Sequence, residues 1–282
     1  MLGLGKIVHL RYRDLGELPA GDFPDWIKRI RSRSIGPKGW RVIDMPWGEV
    51  FGPADLGDLK QIAHWTDQLL GMMDRVFRVP FHSKISVFVL PDAEEFDRYC
   101  RRCGASPGAY AFYNNETGEI AVSPGKSPTA AGLQRQLAHE LTHAYTDLAI
   151  GFLGPPWFAE GLAEYFSSFY LRRGVPVPGA LLPELVWEAE DHIGQLKLSK
   201  VLGYGWEEFY KEKDLLYSVA LAFTYYLIAR IGLVDLFETV YEGRSSDLLK
   251  YGAAFRKELS EYAGPPEPPP GWEEAQLIHR KS

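Results

Sequence analysis

A chain of 282 residues with 46% hydrophobic and 24% charged residues has room for one large or two small domains and needs no disulfide staples. Its net charge of −6 and pI near 5.7 exclude a broad basic footprint, so no nucleic-acid partner is expected. Two cysteines, Cys100 and Cys103, lack the second ligand pair of a structural zinc site and the context of a redox motif, and read as reduced thiols at a helix end.

In chain order, Met1 to Arg13 is broken by Lys6, His9, Arg11 and Arg13, so no secretory signal is expected; a full-length chain is then expected in the cytoplasm, and a processed or trimmed one outside the cell. Ile7 to Tyr12 and Trp40 to Met45 read as short strands around a Pro- and Gly-marked segment. The basic run Lys28, Arg29, Arg31 and Arg33 between them reads as a solvated helix face. From Asp55 to Phe77, Leu59, Ile62, Ala63, Leu69, Leu70, Met73 and Phe77 recur at helical spacing. Lys84 to Leu90 is a β-rich run, and Asp92 with Glu95 forms a capping box that opens a short helix through the cysteines. Ala109 to Tyr113 and Ile120 to Val122 flank the turn formers 114–118 and predict a β-hairpin.

Ser127 and Pro128 predict an N-cap and first helical residue for a helix that runs to about Ile150, stopped by Gly151, Gly154 and Pro155-Pro156. A second helix starts near Trp157, and the stretch 174–205 reads as irregular. Asp214 is expected to cap a long helix from Leu215 to Ile231, with Gly232 as its stop, followed by helices over 233–241 and 247–262. The apolar run 215–236 contains Tyr217, Ser218, Thr224 and Arg230, which suits a buried helix, so no membrane span is expected. The prolines between 265 and 270 read as an extended linker to a short tail.

The chemistry concentrates in His139-Glu140-Leu141-Thr142-His143. On a helix, residues four apart lie on one face, so two imidazoles can grip one metal ion while Glu140 serves a water as general base. Such a match arises by accident in about one chain in a hundred of this length. Its position inside a bounded helix, with an acidic residue following on a separate helix, argues against accident.

Zinc needs a third protein ligand and an open position. Asp147 lies two turns from His139, about 12 Å along the axis, and its short side chain cannot share an ion with both histidines. The extended metzincin pattern fails, because Thr146 and Ala149 stand where glycine and histidine are required. Glu160 is the better candidate, since the turn at Gly154-Pro155-Pro156 lets the chain double back. His192 reads as an exposed histidine, and His9, His64, His82 and His279 lack any partner pattern.

HELTH, a proline-containing turn and then Trp157-Phe158-Ala159-Glu160-Gly161 together resemble the gluzincin superfamily of zinc metallopeptidases, especially its peptidase MA-like members. The similarity covers about 48–262, and its specific part is 136–166. It implies one zinc ion held by His139, His143 and Glu160, a peptide or protein substrate, and Tyr217 as donor to the oxyanion of a tetrahedral intermediate. It also implies a thermolysin-like α+β core: a small mixed or antiparallel sheet whose hairpin packs on the HExxH helix, then a mainly helical C-terminal half. The domain reading is an N-terminal segment over 1–47, a metallopeptidase domain over 48–262 and a tail over 263–282.

The chain also departs from that pattern. At the spacing of aminopeptidase-type gluzincins the ligand would fall on Leu162, which cannot bind zinc. Where those enzymes carry the Glu that holds a substrate amine, this chain has Gly108-Ala109-Tyr110-Ala111-Phe112. Strict aminopeptidase action is therefore not expected, and Gly108, Ala109 and Tyr110 are instead assigned to backbone pairing with substrate. Glu164 and Asp147 are candidate acceptors for a ligand imidazole N–H. A non-peptide metallohydrolase and a non-catalytic zinc-supported interaction module stay open as alternatives.

Overall fold

The computed structural model describes residues 40–53, 59–103, 109–127, 129–179, 183–194 and 196–261. The expected strand at Ile7–Tyr12, the basic run, Gly108, Pro128, residues 55–58 and the proline-rich tail lie outside the described residues. The chain is α+β, and its described residues form one mixed five-stranded sheet, one two-stranded sheet and a helical C-terminal half. It divides into two compact units between Gly151 and Phe152.

The first unit is built on strands β1 (Trp40–Met45), β2 (Gly48–Pro53), β3 (Ile85–Val89), β4 (Ala111–Asn114) and β5 (Glu119–Val122). Their order is β1-β2-β3-β5-β4. β2, β3 and β5 run parallel, while β1 pairs with β2 and β4 with β5 in antiparallel register. Trp40–Met45, expected within the N-terminal segment, is thus the outer strand of this sheet among the described residues. The predicted hairpin is β4 and β5, and β4 forms the opposite edge.

Parallel strands need crossovers, and these are supplied by helices α1 (Leu59–Phe77) and α2 (Ala93–Arg102). The Asp92 side chain caps α2 by accepting from Glu95 N at 2.9 Å, as the capping box predicts. Side chains alternate across a strand. Phe51, Phe88 and Ala121 accordingly gather on one face with Phe96, Tyr99 and Cys100 of α2. Helix α1 packs on β1 and β2, helix α3 (Ala130–Tyr145) packs on β4 and β5, and the two helices pack on each other. With helices on both faces, β3 is apolar and buried at Ile85, Val87, Phe88 and Val89.

Helix α3 starts later than the sequence predicts. Its N-cap is Thr129, whose hydroxyl accepts from Gly132 N at 3.0 Å, whereas Ser127 terminates a 3-10 turn over Pro124–Lys126. Both residue types cap helices; the preceding turn uses the first and leaves the second for α3. The helical path continues to Ile150 through a π turn, Thr146–Ile150, and ends at Gly151, whose φ of 76° is the left-handed conformation that glycine adopts freely.

In the second unit, α4 (Pro156–Ser167) is followed by a hairpin of β6 (Tyr170–Arg172) and β7 (Val175–Val177). Next come α5 (Pro183–Ile193), α6 (Leu198–Gly203), α7 (Trp206–Lys211), α8 (Lys213–Ile231) and α9 (Leu233–Tyr241). A 3-10 segment, Ser245–Tyr251, then leads into α10 (Gly252–Ser260). The expectation of an irregular stretch over 174–205 is corrected by β7, α5 and α6. Buried Val186, Ala189 and Ile193 form the helical stripe by which α5 packs on α8, and that packing outweighs the local breakers. The capping expectation for Asp214 is also corrected. Leu215 N and Leu216 N both bond to Glu212 O, so Asp214 lies inside the first turn of α8. The single helix expected over 247–262 is a 3-10 segment followed by α10.

Helix α8 is the hub of this unit and contacts α4, α5, α7 and α9. Among the described residues no single helix is long and apolar enough to cross a membrane; α8 and α9 diverge by 113° at Gly232.

Candidate metal centre

The histidine pair is positioned by what its helix buries. Leu137, Ala138, Leu141, Ala144 and Tyr145 of α3 are fully buried, and the turn-to-turn spacing leaves His139, Glu140 and His143 half-buried on the adjoining face. Tyr145 fixes the helix about its axis. Its ring stacks between Phe77 at 5.3 Å and Phe81 at 5.6 Å, and its hydroxyl bonds to Asp74 Oδ1 at 3.0 Å and to the Val79 carbonyl. Burial and the Asp74 carboxylate push the Tyr145 hydroxyl far above the ordinary phenol range, so it remains a donor. Below the site, Thr142 Oγ1 donates to Ala138 O at 2.8 Å and Thr146 Oγ1 to Thr142 O at 3.0 Å, back-bonds that lead into the π turn.

The two imidazoles present Nε2 to Nε2 at 3.2 Å, with rings 76° apart. Zinc–nitrogen bonds of about 2.05 Å at a tetrahedral angle place two nitrogens about 3.3 Å apart, so the pair already has the bite that such an ion requires. Ligand atoms of His139, His143 and Glu160 all lie within 4.8 Å of one another, and this group could hold a metal ion. Two imidazole nitrogens and a carboxylate oxygen form a donor set suited to zinc. No protein-family model matches the chain, and no curated protein matches it.

Glu160 is only 1% exposed, in a helix whose neighbours Trp157, Phe158, Ala159 and Leu162 are also buried. The next residue explains how the helix seats so closely. A Cβ on Gly161 would stand 2.6 Å from the carbonyl oxygen of Ala220 on α8, so only glycine allows the approach. The Gly of the Trp-x-x-Glu-Gly element is therefore a packing residue.

A buried carboxylate needs a donor, and Glu160 has one that sequence reasoning missed: Tyr210 of α7 donates its hydroxyl to Oε1 at 2.8 Å. Tyr210 stands 50 residues away in the chain, in no motif, so only the fold could reveal it.

Of the other predicted residues, Tyr217 of α8 is half-buried, with its ring 5.6 Å from that of Phe209. Asp147 lies in the π turn and accepts from the Tyr113 hydroxyl at 2.8 Å, which ties the end of the histidine helix to β4. Glu164 meets Ser167, whose Oγ stands 3.5 Å from Oε2. Ala109 and Tyr110 precede β4; Tyr110 is 63% exposed. His192 is half-buried on α5, with Nδ1 3.4 Å from Ser218 Oγ.

Cys100 and Cys103 are free thiols. Burial, with Cys103, Asp97 and Glu140 adding negative charge nearby, pushes the Cys100 thiol up to about 12.

Proposed function

We propose that this chain is a zinc-dependent metallopeptidase of the gluzincin type. The observation that carries the proposal is the convergence of His139, His143 and Glu160, two ligands from a HExxH helix and one from the Trp-x-x-Glu-Gly element, with ligand atoms within 4.8 Å. When bound, zinc supplies Lewis acidity that polarises a scissile carbonyl and activates water near neutral pH.

The chain's own residues account for the rest. Glu140 is adjacent to His139 on the half-buried face of α3, where its carboxylate accepts the proton of the attacking water and returns it to the leaving amine. Tyr217 is proposed as donor to the developing oxyanion. Among the described residues strand β4 is an edge strand, which suits pairing with an extended peptide, and no acid occupies the position that would select a free amine.

The test has two parts. Purified wild type is expected to retain one equivalent of zinc after dialysis, and Glu160→Ala to lose it; full retention by the variant would mean the third ligand lies elsewhere. Glu140→Gln is expected to keep the metal and lose hydrolysis of a peptide library by about 10²- to 10⁴-fold. Undiminished turnover in that variant would sink the mechanism.

A further inference from the structure

We infer that Tyr210 is a positioning residue for the metal-ligand carboxylate, its phenol hydroxyl holding Glu160 in the orientation that receives the ion. This rests on the metallopeptidase reading of the same site and adds a residue from outside its motif.

A glutamate has three side-chain torsions to restrain, and a buried carboxylate without donors would turn toward whatever polar group it could reach. Tyr210 removes that freedom. Its hydroxyl lies 2.8 Å from Glu160 Oε1, within normal range for a hydrogen bond to a carboxylate. An ionised carboxylate has about four lone-pair sites, so one bond to Oε1 leaves capacity for a metal ion at either oxygen.

The donor is itself held. The Tyr210 ring stacks on Trp206, one turn earlier in α7, with centroids 5.7 Å apart and planes 28° apart. It also meets the fully buried Phe209 edge-on at 6.1 Å. The buried Phe209 anchors α7, and Trp206 restrains the ring that carries the hydroxyl. At 37% exposed, Tyr210 spans from solvent to a ligand that is almost wholly buried. A tyrosine serving only as surface cover would not need its hydroxyl on the one buried acid of the ligand group. Partners of this kind typically change metal affinity 10- to 100-fold when removed.

The test compares wild type, Tyr210→Phe and Trp206→Ala, each stripped with a chelator. Each is titrated with Zn2+ against a chromophoric competitor, and with Co2+ while its d–d absorption is recorded. Tyr210→Phe keeps the ring and loses only the hydroxyl. It is expected to bind zinc 10- to 100-fold more weakly and to show a shifted Co2+ spectrum, which a purely structural defect would not produce. Trp206→Ala keeps the hydroxyl on a looser ring, and a smaller loss is expected. If Tyr210→Phe does not fold, the Trp206→Ala titration decides. Wild-type affinity and spectrum in whichever variants fold would overturn the inference alone. Absence of stoichiometric metal in the wild type would overturn the metal site itself and this inference with it.

Discussion

Replacing Gly161 by alanine tests whether close packing of α4 on α8 seats the ligand carboxylate. The new Cβ would lie 2.3 Å from Thr224 Oγ1, 2.6 Å from the Ala220 carbonyl oxygen and 3.0 Å from its carbon. A threonine hydroxyl can rotate away, but a helix carbonyl cannot. Restoring ordinary contact of 3.4 Å to the Ala220 oxygen therefore parts the two helices by 0.8 Å, the difference between 3.4 and 2.6 Å. Overpacking of this kind costs about 1–3 kcal/mol, and alanine's better helix propensity recovers about 0.5–1 kcal/mol. Taking the middle of each range, the net expectation is a loss of about 1 kcal/mol, seen as a urea midpoint lowered by roughly 0.5 M with an unchanged slope. Glu160 is the neighbouring residue, and metal ligands tolerate errors of only about 0.2 Å, so zinc affinity should fall with stability. Adding Thr224→Ala should restore only part of the loss, because the backbone obstacle stays. A midpoint equal to or above wild type, or full rescue by the second substitution, would refute the reasoning.

Three further outcomes follow from the first unit. Tyr145→Phe keeps both ring stacks and removes the hydroxyl from Asp74 and Val79; a loss of about 1–3 kcal/mol is expected in thermal unfolding, and no change would show that the bonds do not lock the histidine helix. Cys100 has its thiol pushed from an ordinary 9.0 up to about 12, so the folded protein keeps a proton that the unfolded chain releases. That contribution is full below pH 9 and lost as pH rises toward 12, so the denaturation midpoint should be lower at pH 10 than at pH 8, with part of the difference abolished by Cys100→Ala. At pH 8, alkylation of Cys100 in the folded protein should be at least about 100-fold slower than in the unfolded chain, and equal rates would contradict the burial.

The features most legible in the sequence were those whose signal is local and repeated. Apolar spacing located α1, the run Lys84 to Leu90 located β3, and the turn formers between 114 and 118 located the β4–β5 hairpin. Errors fell where two local signals competed or where a distant surface decided. Ser127 and Thr129 are both residue types that cap helices, and only the 3-10 turn that Ser127 closes assigns Thr129 to α3. Helix α5 follows a stretch of glycines and prolines, yet it forms because Val186, Ala189 and Ile193 find α8. Asp214 looked like a cap, but the carbonyl of Glu212 closes the first turn of α8.

By itself the sequence determined that His139 and His143 share one helix face, with Glu140 beside them, because a helix brings residues four apart onto one face whatever surrounds it. It also supplied Glu160 as the candidate third ligand, through a turn and a local motif. Tertiary structure decided what no spacing encodes: the 3.2 Å bite of the two imidazoles, the glycine that lets α4 approach α8, and the hydroxyl of Tyr210 on a carboxylate 50 residues away. The physical reason is range. Backbone periodicity acts over a few residues, whereas the donor for a buried charge can come from any part of the chain that packing brings within hydrogen-bond distance.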